Sequence, residues 1–239
     1  MERLDKILTN YAGLTRSSAK ECLKKGRVCL NGETVKDGSI KVNETDTVTM
    51  DGKTVAQLRF RYFMLNKPGG YVSSTTDEPG DGAPNVISLF ANEGVKGLFP
   101  VGRLDKDTTG LLVVTNDGAL GHKLTAPSKH IDKVYIARVN KILGDADKEA
   151  FEKGFEFKDF VSAPAGLEIL ETDTEKGESV ARVTVHEGKF HQVKRMFLKT
   201  GCEVLELKRI SMGSLKLDEN LPQGEYRELS EEEVKSLQN

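Results

Sequence analysis

Apolar residues recur with helical spacing at Leu4, Ile7, Leu8 and Tyr11, which predicts a short amphipathic helix near the start of the chain. Ser18, with Glu21 three residues on, has the spacing of a capping box and predicts a second short helix through Lys25, ended by Gly26. The period then changes. Val28-Cys29-Leu30 and Glu33-Thr34-Val35 flank Asn31-Gly32, a pair suited to a two-residue turn with positive φ, so a tight hairpin is expected. Thr47 to Met50 predicts another strand, running into Asp51-Gly52. Two short helices and a few strands enclose little core. Residues 1–56 are therefore expected to form a small appended module, and residues 57–239 a larger domain.

The larger part is rich in strand patterns. Phe60 to Leu65, Leu111 to Thr115, Lys133 to Val139, Ser179 to Val185 and Cys202 to Arg209 all fit strands. Helical patterns cover Ala119 to Thr125, Ala146 to Lys153, Phe190 to Thr200 and Ser230 to Leu237. Val193, Met196, Phe197 and Thr200 form the inward stripe of the third, which Gly201 ends, and Ser230 with Glu233 caps the fourth. Strands outnumber helices and do not alternate strictly with them. The expected class is α+β with a mainly antiparallel, mixed sheet, not a doubly wound one.

Composition changes this picture little: 37% hydrophobic, 30% charged, with 23 Gly and 7 Pro in 239 residues, as in ordinary soluble domains. No apolar run approaches the roughly 20 residues that span a bilayer, and the first residues lack the apolar core of a secretory signal. Three cysteines without a C-x-x-C pair read as reduced thiols, so a cytoplasmic protein is expected, with no membrane partner. The net charge of −2 argues against a polyanion partner only until its distribution is read. Residues 1–31 hold seven Lys/Arg against three Asp/Glu, and 186–209 hold six against three. The excess of acid lies in 217–239, seven against two, and reads as solvated surface. Two basic patches remain, as a nucleic acid would require.

Familiar catalytic patterns fail one by one. His186-Glu187 and His191 suggest a zincin helix, but histidines five apart turn about 140° from each other and cannot share a metal. Asp107-Thr108-Thr109-Gly110 has one residue too many for an aspartic-protease loop and no second copy. Neither a dinucleotide fingerprint nor a Walker A sequence occurs, and the histidines and cysteines form no ligand cluster. What stands out is Val101 to Gly118, a polar, Asp-bearing loop between apolar segments, closed by Asn116-Asp117-Gly118. Such loops carry reactive groups. On spacing alone, an exposed hairpin whose aspartates only make turns is the favoured reading.

Five segments taken together resemble the RsuA family of pseudouridine synthases over the whole chain. Gly102-Arg103-Leu104-Asp105, followed by Thr108 and Gly110-Leu111-Leu112, resembles its catalytic motif. Asn66-Lys67-Pro68-Gly69-Gly70 is similar to its first motif, Lys133-Val134-Tyr135 to its K-x-Y strand, and Glu187 to Phe197 to its third motif. Thr15-Arg16-Ser17 and Val28 to Gly32 resemble parts of an S4 RNA-binding domain. Asp77 to Pro84 is longer than the compact loop expected there.

The resemblance implies isomerisation of uridine to pseudouridine in ribosomal RNA or a pre-ribosomal particle, by a monomer without metal or cofactor. It implies Asp105 as the catalytic carboxylate, Tyr135 as the ring that stacks on the base, and Lys194 as the cation beside Asp105. Arg103, Lys67 and Arg195 are the expected substrate contacts, with Lys67 either structural or phosphate-contacting. Arg3, Arg16, Lys20, Lys24, Lys25 and Arg27 are the expected RNA-binding residues of the first module, with Lys20, Lys24 and Arg27 on one side of a helix. Phe155-Glu156-Phe157, Ala163 to Leu170 and Arg209 to Gly213 favour the small-subunit (16S) branch. Alternatives are a large-subunit (23S) enzyme, which shares the catalytic motifs, a non-catalytic assembly factor, and a tRNA-modifying enzyme.

Overall fold

The N-terminal unit begins with β1 (Glu2–Arg3), α1 (Leu4–Tyr11) and α2 (Arg16–Lys24). It continues through β2 (Val28–Leu30), β3 (Glu33–Thr34), β4 (Lys41–Val42), β5 (Thr47–Met50) and β6 (Lys53–Gln57). This is a computed structural model, which describes residues 2–43, 46–57, 60–77, 82–126 and 129–238. Leu4, Ile7 and Leu8 of α1 pack on Ala19, Cys22 and Leu23 of α2 and on Val28, Val42 and Val48. The Asn31-Gly32 hairpin forms as expected: both residues take positive φ (52° and 87°), and Leu30 pairs with Glu33. The second helix differs at its start. Thr15, not Ser18, is the N-cap, its side chain accepting from the Ser18 N–H at 3.1 Å. Glu21 is left to pair with Lys25 at 2.6 Å. The sheet runs on to Gln57, one residue past the expected boundary.

The second unit contains β7 (Tyr62–Lys67), a 3-10 segment (Val86–Glu93), β8 (Phe99–Pro100), β9 (Thr109–Thr115) and α3 (Gly118–Thr125). Then come β10 (Lys133–Val139), α4 (Asp145–Lys153), β11 (Gly166–Asp173), β12 (Glu178–Val185) and α5 (Gln192–Lys199). β13 (Val204–Met212), β14 (Leu215–Lys216), β15 (Tyr226–Glu228) and α6 (Glu231–Gln238) complete it. The main sheet has the order β11-β12-β10-β13-β9-β7-β15. Its pairs are antiparallel except β13 with β9, which run parallel.

The sheet is covered on both faces, so its central strands are apolar runs without alternation. Phe63, Leu65, Leu112 and Val114 face Phe151 of α4 and Met196 and Phe197 of α5. Tyr62, Met64, Leu111 and Val113 face Leu120 and Leu124 of α3 and Leu237 of α6. The parallel seam between β9 and β13 depends on Gly110. It sits at φ 96°, and a Cβ there would lie 2.2 Å from the Arg209 carbonyl oxygen.

Two sequence expectations change here. Asn116-Asp117-Gly118 does not close a hairpin; Asp117 caps α3, accepting from the Ala119 and Leu120 N–H groups at 2.9 and 3.1 Å. Strand β11 went unrecognised, because its mostly exposed edge position leaves only Leu167 and Ile169 on the core side. Residues 78–81, within the long Asp77 to Pro84 stretch, lie outside the described residues.

Candidate active site

The Asp105 loop joins β8 to β9 and reaches the seam of the sheet, and its backbone is fastened on several sides. Ser73 Oγ donates to the Leu104 carbonyl at 2.9 Å and accepts from the Leu104 N–H at 3.0 Å. The Thr108 N–H closes a turn on the Asp105 carbonyl at 3.1 Å, and the Gly70 N–H donates to that of Lys106 at 2.8 Å.

Lys67, at the end of β7, completes the support from below. Its side chain is fully buried, and Nζ lies within hydrogen-bonding distance of the carbonyls of Pro68 (3.0 Å), Asp105 (3.2 Å), Lys106 (3.2 Å) and Thr108 (2.9 Å). This corrects the expected substrate contact. A buried ammonium engaged with loop carbonyls is absent from the cleft lining and cannot meet a phosphate. Burial pushes its pKa down to about 8, while the charges of Asp107 and Asp105 pull the other way.

The loop forms one wall of a cleft of about 750 Å³. Arg103, Asp105 and Asp107 line it from the loop, Lys133 and Tyr135 from β10, Arg209 from β13, and residues 185–194 from the segment leading into α5. That segment is braced: Glu187 Oε1 accepts from the Ala163 N–H and from Gln192 Nε2, both at 2.9 Å, and Gln192 Oε1 accepts from the Lys189 N–H at 3.0 Å. The Asp105 side chain is one-quarter exposed (25%), with Lys194 Nζ 3.7 Å from Oδ2 and His191 Nε2 3.5 Å from Oδ1. Lys194 also bonds Asp107 Oδ1, more closely than it approaches Asp105. Burial works to raise the Asp107 pKa, but the hydrogen bond and charge of Lys194 outweigh it and hold the carboxyl below its usual range. Tyr135 presents a buried ring in the same cleft. Arg103 is exposed at its edge and carries no ion pair among the described residues. The site thus offers a partly desolvated carboxylate, cations beside it and an aromatic wall. Among the described residues, no group of three or more His, Cys, Asp or Glu is placed to hold a metal ion.

A family model for RNA pseudouridylate synthase matches residues 61–199, and one for the S4 domain matches residues 2–48. The chain belongs to the RNA pseudouridylate synthase family. Ribosomal small subunit pseudouridine synthase A of Escherichia coli (strain K12) is 40% identical over 239 residues, covering 98% of this chain and 99% of that protein. An uncharacterized RNA pseudouridine synthase, YtzG, of Bacillus subtilis (strain 168) is 41% identical over 238 residues, covering 98% of each. A crystal structure of a pseudouridylate synthase superposes with a TM-score of 0.68 at 36% identity, covering 99% of this chain and 100% of that one. The chain is accordingly a pseudouridine synthase, an isomerase, joined to an S4 RNA-binding domain.

Within this pseudouridine synthase, Arg195 departs from its expected place. It is directed at Asp159 through two bonds of 3.0 and 2.5 Å, with its guanidinium over Phe157 and Phe160 at 4.5 and 4.9 Å. It does not line the cleft, because adjacent residues on a helix project about 100° apart and Lys194 takes the inward position. Of the S4-domain cations, Arg16, Lys20 and Lys24 are exposed and without ion pairs among the described residues. Arg3 is paired with Asp5, Lys25 with Glu21 and Arg27 with Asp51. Arg27 also lies beyond the end of α2, so the expected helical stripe reduces to Lys20 and Lys24.

Sequence reasoning passed over His191, dismissed along with the zincin pattern, and Arg209. His191 takes φ 50° at the N-cap of α5, while His186 bonds Asp132 at 2.6 Å. Arg209 is 2% exposed; its Nε donates to the Leu111 carbonyl at 2.8 Å and its Nη2 has no partner among the described residues. An arginine inside an apolar strand pattern was the available signal.

Proposed function

We propose that this pseudouridine synthase acts on a uridine of small-subunit ribosomal RNA, as a cytoplasmic monomer without metal or cofactor, with Asp105 as its catalytic carboxylate. The observation that carries the reading is the placement of Asp105: partly desolvated in the cleft, with Lys194 Nζ 3.7 Å from its carboxylate. Likeness over nearly the whole chain to a protein named for small-subunit rRNA supports that target over a large-subunit one.

A stacked uracil is out of reach, so the target base must be extruded into the cleft. Arg103, exposed at the cleft edge and without an ion pair among the described residues, holds the opened strand. Tyr135 supplies a stacking face that offsets about 1–3 kcal/mol of the cost. The N1–C1′ bond breaks, the uracil turns, C5 bonds to C1′, and C5 then gives up its proton while N1 takes one up. The Asp105 carboxylate serves either by adding covalently or by taking a sugar proton. The first module, residues 1–56, supplies affinity through Arg16, Lys20 and Lys24 to phosphates.

The test is Asp105→Asn, which removes the charge and nearly keeps the shape. The side chain is one-quarter exposed, so the variant is expected to fold and bind RNA while forming no pseudouridine. Mapping pseudouridine in 16S and 23S rRNA from cells with and without the gene identifies the target. Normal turnover by Asp105→Asn refutes the assignment, and a missing modification in 23S alone refutes the target.

A further inference from the structure

We propose that Phe190 is a stacking platform for the nucleobase adjoining the target uridine, braced from behind by His191. Phe190 lines the mouth of the Asp105 cleft, yet it is 70% exposed. The other large apolar side chains exposed among the described residues, Ile142, Val161, Leu170, Leu198 and Leu205, are aliphatic and lie outside the cleft lining. Leaving an aromatic ring in water forfeits burial that the fold could have used, so its position calls for an occupant.

The mounting of the ring indicates which occupant. The Phe190 and His191 rings stack with centroids 3.8 Å apart and planes 18° from parallel, close to the arrangement of neighbouring bases. His191 covers one face of Phe190, and the exposure of Phe190 leaves the other open. The brace is held firmly. His191 sits in left-handed backbone at the start of α5, a conformation that a non-glycine residue adopts at a cost, and its Nε2 is turned toward Asp105 at 3.5 Å. Glu187 and Gln192 pin the backbone on both sides.

A uridine drawn into the cleft leaves each neighbouring base without one stacking partner. The base that stays at the cleft mouth is then beside the open face of Phe190. A phenyl ring carries no charge and every base has a flat face, so the contact adds affinity without adding to salt dependence.

The inference rests on the rRNA reading above, and turnover of the same fragment by the wild-type enzyme tests that reading separately. The probes are rRNA fragments carrying 2-aminopurine on either side of the mapped target, with Phe190→Ala, Phe190→Leu and Phe190→Tyr compared to wild type. Phe190→Ala is expected to raise KM about fivefold, the low end of base–aromatic stacking, with the salt slope of binding retained. At saturating enzyme, one of the two 2-aminopurine positions should be brighter with Phe190→Ala than with wild type, because the quenching ring is gone. Phe190→Tyr should restore both properties and Phe190→Leu neither. An unchanged KM, full rescue by leucine, or 2-aminopurine signals unaffected at both positions overturns the proposal.

Discussion

Replacing Lys67 by methionine separates loop support from substrate binding, because stability and turnover should respond with opposite signs to pH. In the native state Lys67 has a pKa of about 8 against an ordinary 10.5. At 1.36 kcal/mol per pH unit, holding it charged below pH 8 costs about 3 kcal/mol. Methionine removes that cost along with the hydrogen bonds. The Asp105 and Lys106 carbonyls keep the Thr108 and Gly70 N–H groups as donors, whereas those of Pro68 and Thr108 lose Lys67. Two deprived carbonyls cost about 1–3 kcal/mol each, so the gains and losses nearly cancel at pH 7. The loop, however, loses the single group that reaches the carbonyls of Asp105, Lys106 and Thr108 together among the described residues. A shift of about 1 Å in a catalytic group costs on the order of a hundredfold in rate. We therefore expect a folded Lys67→Met protein with kcat down about a hundredfold. In wild type, the native state releases the Lys67 proton between pH 8 and 10.5 while the unfolded chain keeps it. The unfolded state then binds more protons, so this group's contribution to stability rises with pH by about 3 kcal/mol. Turnover should fall over the same rise through pH 8, as the neutral amine has two N–H groups for four carbonyls. Urea unfolding of both proteins from pH 7 to 10, with tritium release from RNA labelled at uridine C5, measures the two effects. A wild-type kcat in the variant, or a stability difference between the two proteins that is flat with pH, refutes the reasoning.

Asp107→Asn should retain most single-turnover activity, since it releases Lys194 to Asp105 alone, whereas Lys194→Met should lose activity because Asp105 loses the cation that positions it. Gly110→Ala should destabilise the protein by about 3 kcal/mol or more, seen as a lower urea midpoint, because its Cβ would meet the Arg209 carbonyl in the parallel seam. Joint replacement of Arg16, Lys20 and Lys24 by alanine should weaken RNA binding and lower its salt slope by roughly 2, at about 0.7 per phosphate contact. Replacing the paired Lys25 and Arg27 should change that slope less, as filter binding across salt concentrations would record.

The local devices of this fold were legible in the chain. The Asn31-Gly32 hairpin, the Ser230/Glu233 cap and the strand Lys133–Val139 follow from backbone preferences and periodicity that act over a few residues. Apolar runs in β7 and β9 likewise marked strands, whereas their cover on both faces emerged only with the fold. Asp105, Tyr135, Lys194 and Arg103 were named from motif resemblance, and they line one cleft although far apart in sequence. Direction and partnership were settled only by tertiary structure. Lys67 and Arg195 were expected to contact substrate, with a structural role as the other reading of Lys67, yet one is buried under the Asp105 loop and the other is stacked against Phe157 and Phe160. His191 lost its significance in the sequence when its spacing failed for a metal, and regained it only where the α5 N-cap meets the Asp105 loop. Which cations stand free and which are paired depends on long-range contacts such as Arg27 with Asp51. Periodicity along the chain says which side of an element is apolar; what faces its polar side is decided by segments distant in sequence, and pairwise distances between them exist only in the folded molecule.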